Sequence, residues 1–358
     1  MRVRQAVLLC IILLLGVTPS HTQEDASPYW QIFIERNPEQ LGTDRLQFIN
    51  VLSGELVISD VNGERYTPLD TYLLYYDPTT RSVMTARPDG SVTPHPFIQL
   101  GAARRVDWLV SPDERLIAWT LTYDNIDGLT TVTTVSNPAG TNQNLILSDG
   151  PRNDGVRVFP VAFTTENAAI IMDSQPDGIG DLAPYRQYAN LFQLSLIDGA
   201  ITPLIGEPSC FCAASLRGDQ LIRLSIRSDF TGFDVSLYNL ATQQSQTIPS
   251  LGLVNYTQGG NILISPDGTQ AVYALSQVEI GANQPTVRTV MMHVDLQTRI
   301  QRQLTEPITS YLEAIGWTED NNAILVSIPE RDGTWKIDIA TGDLRRIATA
   351  TFVGTIAN

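Results

Sequence analysis

The 358-residue sequence predicts an all-β fold built from repeated four-stranded units, and three observations lead to this prediction. Short polar turns recur along the chain at nearly constant spacing. Apolar runs of strand length flank the turns, and no segment after the N-terminus shows the 3.6-residue period of an amphipathic helix. A constant period indicates stacked copies of one supersecondary unit, because one copy alone cannot bury its apolar faces.

The spacing of the turns defines the repeat. They begin at Ser111, Thr164, Leu216, Ser265 and Thr318, which gives intervals of 53, 52, 49 and 53 residues. A period of about 50 residues is long enough for four short strands and their connections. We therefore expect each repeat to be one small antiparallel sheet.

The repeat at 102–149 shows the four strands most clearly. Its strand-like segments are 106–110, 116–122, 130–135 and 144–147, and each is joined to the next by a short turn or loop. Four antiparallel strands connected in this way describe one blade of a β-propeller. Equivalent units occupy 155–206, 207–250, 256–306 and 310–349.

The number of blades depends on how 46–101 is divided. One period before Ser111 lies the turn Asp60-Val61-Asn62-Gly63, and taking it as a repeat turn gives one irregular blade and six blades in total. Glu55–Pro68 can also be read as a hairpin, with three further strands in 72–97, which would permit seven blades. We expect six blades, with seven as the alternative.

Two of the turns carry a recognisable motif. Ser111-Pro112-Asp113-Glu114 leads into a strand ending in Ala118-Trp119, and Ser265-Pro266-Asp267-Gly268 leads into a strand containing Tyr273. They resemble the S-P-D-G repeat of TolB-type and related WD40-like β-propellers. The resemblance implies a propeller fold but not an activity, since such propellers serve as binding scaffolds, peptidase gates and whole enzymes. It transfers no catalytic residue to this chain.

The N-terminal residues 1–23 have the features of a secretory signal peptide. Arg2 and Arg4 precede an uninterrupted run of 12 apolar residues at 6–17, and small or polar residues follow. Twelve residues are too few to span a bilayer, which takes roughly 20. We expect an exported protein, periplasmic, at the cell surface or extracellular, without a transmembrane segment in the mature chain. An uncleaved N-terminal tether, or a lipid anchor on Cys10, is the alternative.

The rest of the chain divides into an N-terminal extension at 24–45, with one strand candidate at Trp30–Glu35, and a single propeller domain at 46–358. The formal net charge of -15 disfavours binding to phosphate backbones, so no nucleic acid partner is expected. After the signal only Cys210 and Cys212 remain. On an extended strand their Cα atoms would lie at the outer limit for a disulfide, so two buried thiols and a strained disulfide both stay open.

The loops supply the candidate site residues. Connections between the second and third strands of all blades emerge on one face, and here they are acidic, at Asp124–Gly128, 173–181, Asp229, Glu279, Glu330 and Asp332. Asp173, Asp177 and Asp181 recur every four residues and could supply oxygen ligands to calcium. No other cofactor is expected. Ordinary turn chemistry explains the same Asp-Gly pattern equally well.

Tyr185, Arg186 and Tyr188 follow in the same loop and are the predicted partner contacts, because Tyr and Arg dominate binding hot spots. The alternative is that this loop folds back on its own blade.

Nucleophilic catalysis has little support in the sequence. No G-x-S-x-G motif is present, and His95 and His293 lie in strand contexts that favour packing. The first strands at 106–110, 158–163 and 210–215 are mainly apolar or small. We therefore predict a monomeric, non-catalytic binding or scaffold module for a protein, peptide or glycan partner at the acidic loop face. The alternatives are a calcium-dependent, lactonase-like hydrolase and a purely structural envelope protein.

Overall fold

The computed structural model describes residues 29–36, 42–178, 185–204, 213–229, 231–280, 285–329 and 331–357. Within these residues the chain forms 28 β-strands and one short 3-10 turn, Thr165–Asn167. The strands make seven antiparallel four-stranded sheets, which are the blades of a β-propeller. No helix in these ranges is long and apolar enough to cross a membrane.

The blades follow one another along the chain. Blade 1 contains β1 (Tyr29–Arg36), β2 (Asp44–Asn50) and β3 (Leu56–Val61). Blade 2 contains β4 (Glu64–Leu69), β5 (Tyr72–Asp77), β6 (Ser82–Ala86) and β7 (Val92–Pro94). Blade 3 contains β8 (Arg105–Val110), β9 (Ile117–Asn125), β10 (Gly128–Ser136) and β11 (Asn144–Arg152). Blade 4 contains β12 (Val156–Phe163), β13 (Ala169–Pro176), β14 (Leu191–Ser195) and β15 (Ile201–Pro203).

The remaining blades have the same order. Blade 5 contains β16 (Ala214–Arg217), β17 (Gln220–Ile226), β18 (Phe233–Asn239) and β19 (Gln244–Ile248). Blade 6 contains β20 (Gln258–Ile264), β21 (Gln270–Ile280), β22 (Pro285–Asp295) and β23 (Ile300–Gln303). Blade 7 contains β24 (Glu313–Trp317), β25 (Ala323–Ile328), β26 (Arg331–Asp338) and β27 (Leu344–Ala348). The last strand, β28 (Thr351–Ala357), returns to blade 1.

The two ends of the chain close the ring. β28 pairs with β1 in antiparallel register, with Trp30 opposite Ile356. Trp30, Ile32 and Ile356 are buried in one apolar cluster with residues of blade 2. The strand predicted at Trp30–Glu35 is therefore a blade strand, and the structure places it inside the propeller rather than in an extension before it.

Seven blades correct the expectation of six. The turn Asp60-Val61-Asn62-Gly63 does not join two strands of one blade but links β3 of blade 1 to β4 of blade 2, which lie in different sheets. The first turn of blade 2 is instead at Asp70-Thr71, where Leu69 pairs with Tyr72. Blade 2 is short, so the 50-residue period fails there. Blade 1 also takes its innermost strand, β28, from the C-terminal end of the sequence, and a count of turns along the chain does not reveal this strand.

The repeat turns are held by one small hydrogen-bond network. The Ser265 hydroxyl donates to Asp267 at 2.6 Å and accepts from the Gln270 amide at 3.0 Å. Ser111 forms the same pair of bonds with Asp113 and the Leu116 amide. The third residue of the motif thus orients the first, whose hydroxyl closes the turn.

The apolar core lies between blades. The second strands are buried on both sides because each sheet packs between two neighbours, and Leu73, Leu74, Ile170 and Ile171 are fully buried. First strands of successive blades contact one another, for example β8 with β12 and β16 with β20, so they surround the propeller axis. We call the face that carries the loops between second and third strands the upper face. The first strands also begin at this face.

Candidate ligand-binding site

The part of the β13–β14 loop of blade 4 that the structure describes after residue 184 lies over the propeller axis at the upper face. The hydroxyls of Tyr185 and Ser276 of blade 6 share a hydrogen bond of 2.6 Å, and the Tyr185 ring packs edge-on against Tyr311, just before blade 7. The next residue, Arg186, lies 3.9 Å from Asp107 of blade 3. In a ring of seven, blade 3 is opposite blades 6 and 7. Tyr185 and Arg186 therefore lie over the axis.

Three contacts fix this loop. The Gln187 side chain donates to the Gly259 carbonyl on β20 at 2.9 Å. The neighbouring Gly260 has no Cβ, and a Cβ there would overlap the Tyr185 side chain, so glycine permits the close approach. At the base of the loop, Asp173 accepts hydrogen bonds from the amides of Ala189 and Asn190 at 3.0 and 2.8 Å.

The three predicted partner contacts have different environments. Tyr185 is buried in the apolar cluster between blades 6 and 7. Tyr185 thus contacts distant blades of the protein, whereas Arg186 and Tyr188 pack near Phe159 of their own blade 4, as the alternative expected of this loop. Tyr188 is partly buried and packs near Phe159, with ring centroids 6.4 Å apart. Arg186 has 51% of its side chain exposed, and its guanidinium lies 5.2 Å from the Phe159 ring centre. Of the three, Arg186 is the residue most open to a partner.

Four guanidinium groups surround Asp107, a buried carboxylate on β8. Arg157 donates to it at 2.9 Å and Arg105 at 3.0 Å, while Arg65 and Arg186 lie 3.7 and 3.9 Å away. Burial alone would raise the pKa of Asp107, but Arg157 and Arg105 outweigh burial and hold the pKa below its usual value. Asp107 is therefore ionised, and its carboxylate forms ion pairs with these arginines.

A second set of ion pairs adjoins the first. Asp177 pairs with Arg104 and lies 3.1 Å from Arg157, and Arg104 also lies 3.3 Å from Asp124. Asp124 and Asp177 belong to the loops expected to make this face acidic. Arginines neutralise both carboxylates, so this sector of the upper face is not an acidic surface.

We call this set the arginine cluster. It comprises five arginines and three aspartates, contributed by blades 2, 3 and 4: Arg65, Arg104, Arg105, Arg157 and Arg186 with Asp107, Asp124 and Asp177. Among the described residues of this cluster, guanidinium groups thus outnumber carboxylates, in a chain whose formal net charge is -15. The arginines also affect one another: burial lowers the pKa of Arg65, Asp107 opposes that effect, and Arg105 and Arg186 add to it.

A cavity of about 530 Å³ opens beside the cluster, between blades 2 and 3. Its lining residues are Glu64, Arg65, Tyr76, Arg104, Arg105, Val106, Asp177 and Gly178. The Arg65 guanidinium is held between rings, 4.5 Å from the centre of Trp108 and 5.1 Å from that of Tyr76, and it donates to the Val106 carbonyl at 2.5 Å. This arginine is fixed in place before any ligand arrives.

The sequence did not single out Asp107, Arg65, Arg105 or Arg157. The first strands at 106–110 and 158–163 read as mainly apolar, but the first contains Asp107 and an arginine stands just before each. The sequence does place a charged residue at the first or second position of three consecutive first strands, and this pattern could have indicated the cluster. These side chains come together only because the blades close into a ring, and local sequence patterns do not report that closure.

The predicted calcium ligands lie in separate environments. Asp173 is fully buried, and its burial raises its pKa to about 6. Asp177 is paired with arginines. Asp181 falls outside the described residues, as do Cys210 and Cys212 and the predicted signal peptide. Where the structure describes the chain, no group of three or more His, Cys, Asp or Glu is placed to hold a metal. The calcium site stays a prediction.

The histidines take part in packing. His95 is buried, accepts a hydrogen bond from the Ile98 amide at 3.0 Å, and packs edge-on against Phe97. Burial lowers its pKa to about 4, so it is neutral at physiological pH. The pKa of His293 is lowered to about 4, mainly by burial, and its Nε2 lies 2.7 Å from Gln270. Neither belongs to the arginine cluster.

No protein-family model matches this chain, and no curated protein matches it. The chain does match solved structures in fold. A prolyl endopeptidase structure is 10% identical, with a TM-score of 0.58, over 90% of this chain and 50% of its own. An oligogalacturonate lyase in complex with manganese is 14% identical, with a TM-score of 0.54, over 90% of this chain and 86% of its own.

TolB from Acinetobacter baumannii is also among the matches. It is 14% identical with a TM-score of 0.44, and the alignment covers 77% of this chain and 62% of TolB. The resemblance indicated by the S-P-D-G turns is confirmed at the level of fold: the chain is a β-propeller of four-stranded blades, and TolB proteins are among its structural neighbours. At these identities the likeness concerns the fold alone.

Proposed function

We propose that this protein is an exported, non-catalytic binding module that recognises a protein, peptide or glycan partner on its upper face. The observation that carries the proposal is the loop over the axis, with Tyr185 buried against blades 6 and 7 and Arg186 beside Asp107. Because Tyr185 and Arg186 lie over the axis, the surface offered to a partner is this part of the loop and the cavity next to it.

The side chains at this surface suit recognition. Arginine and tyrosine are among the residues that most often carry binding energy at interfaces. Arg65 and Arg186 are stacked on aromatic rings, so they lose little conformational freedom when they engage a partner. The enzymatic neighbours share only the fold, which by itself does not supply their activities.

A hydrolase is the second candidate, on the strength of Asp173. A buried carboxyl with a pKa near 6 has the proton affinity expected of a general acid or base. However, one oxygen of Asp173 already accepts two backbone amides beneath the loop. We therefore favour a structural use of this residue in holding the loop.

The test uses arrays of glycans and of peptides probed with the purified protein. The variants are Arg186→Ala and, as a control, Arg115→Ala, which removes an exposed arginine beside a repeat turn on the opposite face. Ligands retained by the wild type should bind Arg115→Ala unchanged and Arg186→Ala at least tenfold more weakly. Binding that survives in Arg186→Ala would place the partner elsewhere. Turnover of chromogenic lactones or esters that needs added calcium would favour the hydrolase.

A further inference from the structure

We propose that one corner of blade 1 docks on the surface of a neutral lipid bilayer, with Leu52, Leu56 and Ile58 inserted among the lipids. We call this surface the apolar corner; it comprises Val51, Leu52, Leu56 and Ile58, in the hairpin of β2 and β3. Counted from the innermost strand β28, this hairpin joins the third and fourth strands of the blade, so its turn lies on the lower face, opposite the upper face. The inference goes beyond the proposed function and leaves the upper face free for a partner.

The apolar corner concentrates exposed apolar side chains. Val51, Leu52, Leu56 and Ile58 are 41, 62, 52 and 50% exposed. In the rest of the described chain, exposed large apolar residues occur along the sequence singly or in pairs. Single exposed side chains of this kind are common, whereas a larger group marks a surface that contacts another molecule or a membrane.

The turn of the hairpin holds Leu52 outwards. Asn50 is buried, and its side-chain carbonyl accepts hydrogen bonds from the amides of Leu52 and Ser53, both at 3.0 Å. The Asn50 backbone accepts from the Gly54 amide at 2.9 Å and donates to the Glu55 carbonyl at 2.9 Å. These bonds fix a tight turn, in which polar residues and glycine are usual. Leu52 is therefore presented to solvent by a fixed backbone, which needs no further ordering on insertion.

Blade 7 does not cover this side of blade 1. The six buried apolar clusters of the described chain lie between blades 1 and 2 and so on to blades 6 and 7, and none of them joins blade 7 to blade 1. On β2, Ile49 is opposite Leu56 and Gln47 is opposite Ile58, so the four share one side of the sheet. Ile49 and Gln47 line a cleft of about 480 Å³ against Ile347 of β27. The apolar corner thus continues into an open cleft instead of a packed interface.

The place where the chain enters the propeller points to a bilayer as the partner. The Tyr29 carbonyl accepts a hydrogen bond from the Val51 amide at 3.1 Å, so the residues before β1 join the propeller next to the apolar corner. The apolar run at 6–17 precedes β1, and the intervening residues 18–28 extend about 40 Å at most. When this run is retained and inserted in a membrane, it holds the apolar corner within that distance of the lipids. Two weak attachments on one chain then reinforce each other.

Charge selects neutral lipid. Glu55 is the one charged residue in 51–58, and the formal net charge of the chain is -15. Anionic lipids would repel such a chain, whereas neutral lipids allow apolar burial to act alone. Attachment by apolar burial does not depend on charge screening, so added salt should not weaken it.

Hydrogen–deuterium exchange of the full-length protein, with and without phosphatidylcholine vesicles, tests the proposal. We expect the vesicles to slow exchange at 51–58 and to leave 185–190 on the upper face unchanged. Flotation measures binding. Vesicles that contain phosphatidylglycerol should bind less protein than phosphatidylcholine vesicles do, and raising the salt concentration should not weaken binding to phosphatidylcholine.

Variants locate the contact. Leu52→Asp and Leu56→Asp should each lower the vesicle partition coefficient at least tenfold, because each places a charge where an apolar side chain enters the lipids. Ile197→Asp is the matched control and should bind as the wild type does, since Ile197 is 85% exposed in the corresponding turn of blade 4, between β14 and β15. Thermal melts verify the fold, and the uncharged Leu52→Gln provides the comparison if an aspartate variant melts early.

The proposal is overturned if phosphatidylcholine vesicles do not bind the protein, or if the corner variants bind as strongly as Ile197→Asp. Binding that leaves exchange at 51–58 unchanged would assign the attachment to the N-terminal run alone and would also overturn it. Exchange at 51–58 that is slow without vesicles and unchanged by them would mean that the corner is already covered. Light scattering would then assign the cover to a second copy if the protein is a dimer, and to the chain's own N-terminal segment if it is a monomer.

Discussion

The hydroxyl of Tyr185 in blade 4 is hydrogen-bonded to that of Ser276 in blade 6, at 2.6 Å. Blade 5 lies between them in the ring, so this contact fastens a loop across the inner part of the upper face instead of against an adjacent blade. The adjacent Arg186 extends the same loop towards Asp107 of blade 3. The loop therefore links sides of the ring that the blade interfaces do not bring into contact.

Removing the Tyr185 side chain should destabilise the fold. Tyr185→Ala would leave a cavity between blades 6 and 7 and cost about 3–5 kcal/mol in the free energy of unfolding. Tyr185→Phe should cost about 0.5–1.5 kcal/mol, because Ser276 keeps its 2.7 Å hydrogen bond with Thr289. Urea unfolding measures both. Tyr123→Phe, at a partly exposed tyrosine, is the control, and equal losses for the two phenylalanine variants would mean that the Tyr185 hydroxyl is not bonded as described.

Asp107→Asn should be strongly destabilising. The substitution removes the carboxylate that four arginines share and leaves buried Arg157 without its ion pair to residue 107, at a cost of about 3–5 kcal/mol. Asp60→Asn is the comparison, since Asp60 is exposed and its ion pair with the partly exposed Arg45 contributes about 0–1 kcal/mol. Thermal or urea unfolding of both variants gives the difference, and a loss below about 1 kcal/mol for Asp107→Asn would show that the cluster is not held by this residue.

Asp173 should make the free energy of unfolding fall as pH rises, whereas an ion-paired carboxylate makes it fall as pH is lowered. Its pKa is about 6 in the folded protein and 3.8 when unperturbed, so the folded state binds the extra proton between these values. Stability from this group is therefore present below pH 4 and is lost as pH rises through 6, by on the order of 2–3 kcal/mol.

Carboxylates with lowered pKa values act the other way, so the wild-type profile alone does not isolate Asp173. The measurement is the difference between the unfolding free energies of wild type and Asp173→Asn from pH 4 to pH 7. The wild type should lose stability relative to the variant over this range. A difference that does not change with pH would contradict the raised pKa.

The repeat turn gives a fourth prediction. Ser265→Ala removes both the donor to Asp267 and the acceptor for the Gln270 amide at a buried position, so we expect a loss of about 1–3 kcal/mol. Ser245→Ala, on an exposed outer strand, should change stability by less than about 0.5 kcal/mol. Thermal melts compare the two, and a neutral Ser265→Ala would mean that the motif's hydroxyl does not close the turn.

Local features of the sequence predicted most of the fold. The Ser111 and Ser265 turns, with the apolar runs beside them, identify blades 3 and 6 because turn chemistry and strand alternation act over a few residues. The pairing of Trp30 with Ile356 joins the two ends of the chain, and no local pattern reports such a contact. The expected count of six blades was therefore wrong at blade 1, because that blade is formed by pairing of the two chain ends and not by a turn at the regular spacing.

The candidate site was predictable only in part. The sequence indicated the loop that contains Tyr185 and Arg186, and it placed that loop on the upper face. It did not indicate that the loop spans the axis, because the Ser276 and Asp107 contacts depend on where blades 6 and 3 lie in the closed ring. For the same reason the arginines of three separate blades could not be recognised as one cluster.

Hydrogen–deuterium exchange of the free protein and of its complex with an array-selected partner tests the central claim most directly. If the partner binds the upper face, protection should appear at residues 185–190 and at the starts of β4 and β8. It should be absent from the repeat turns at Ser111 and Ser265. Protection confined to those turns, with the loop over the axis unchanged, would contradict the account.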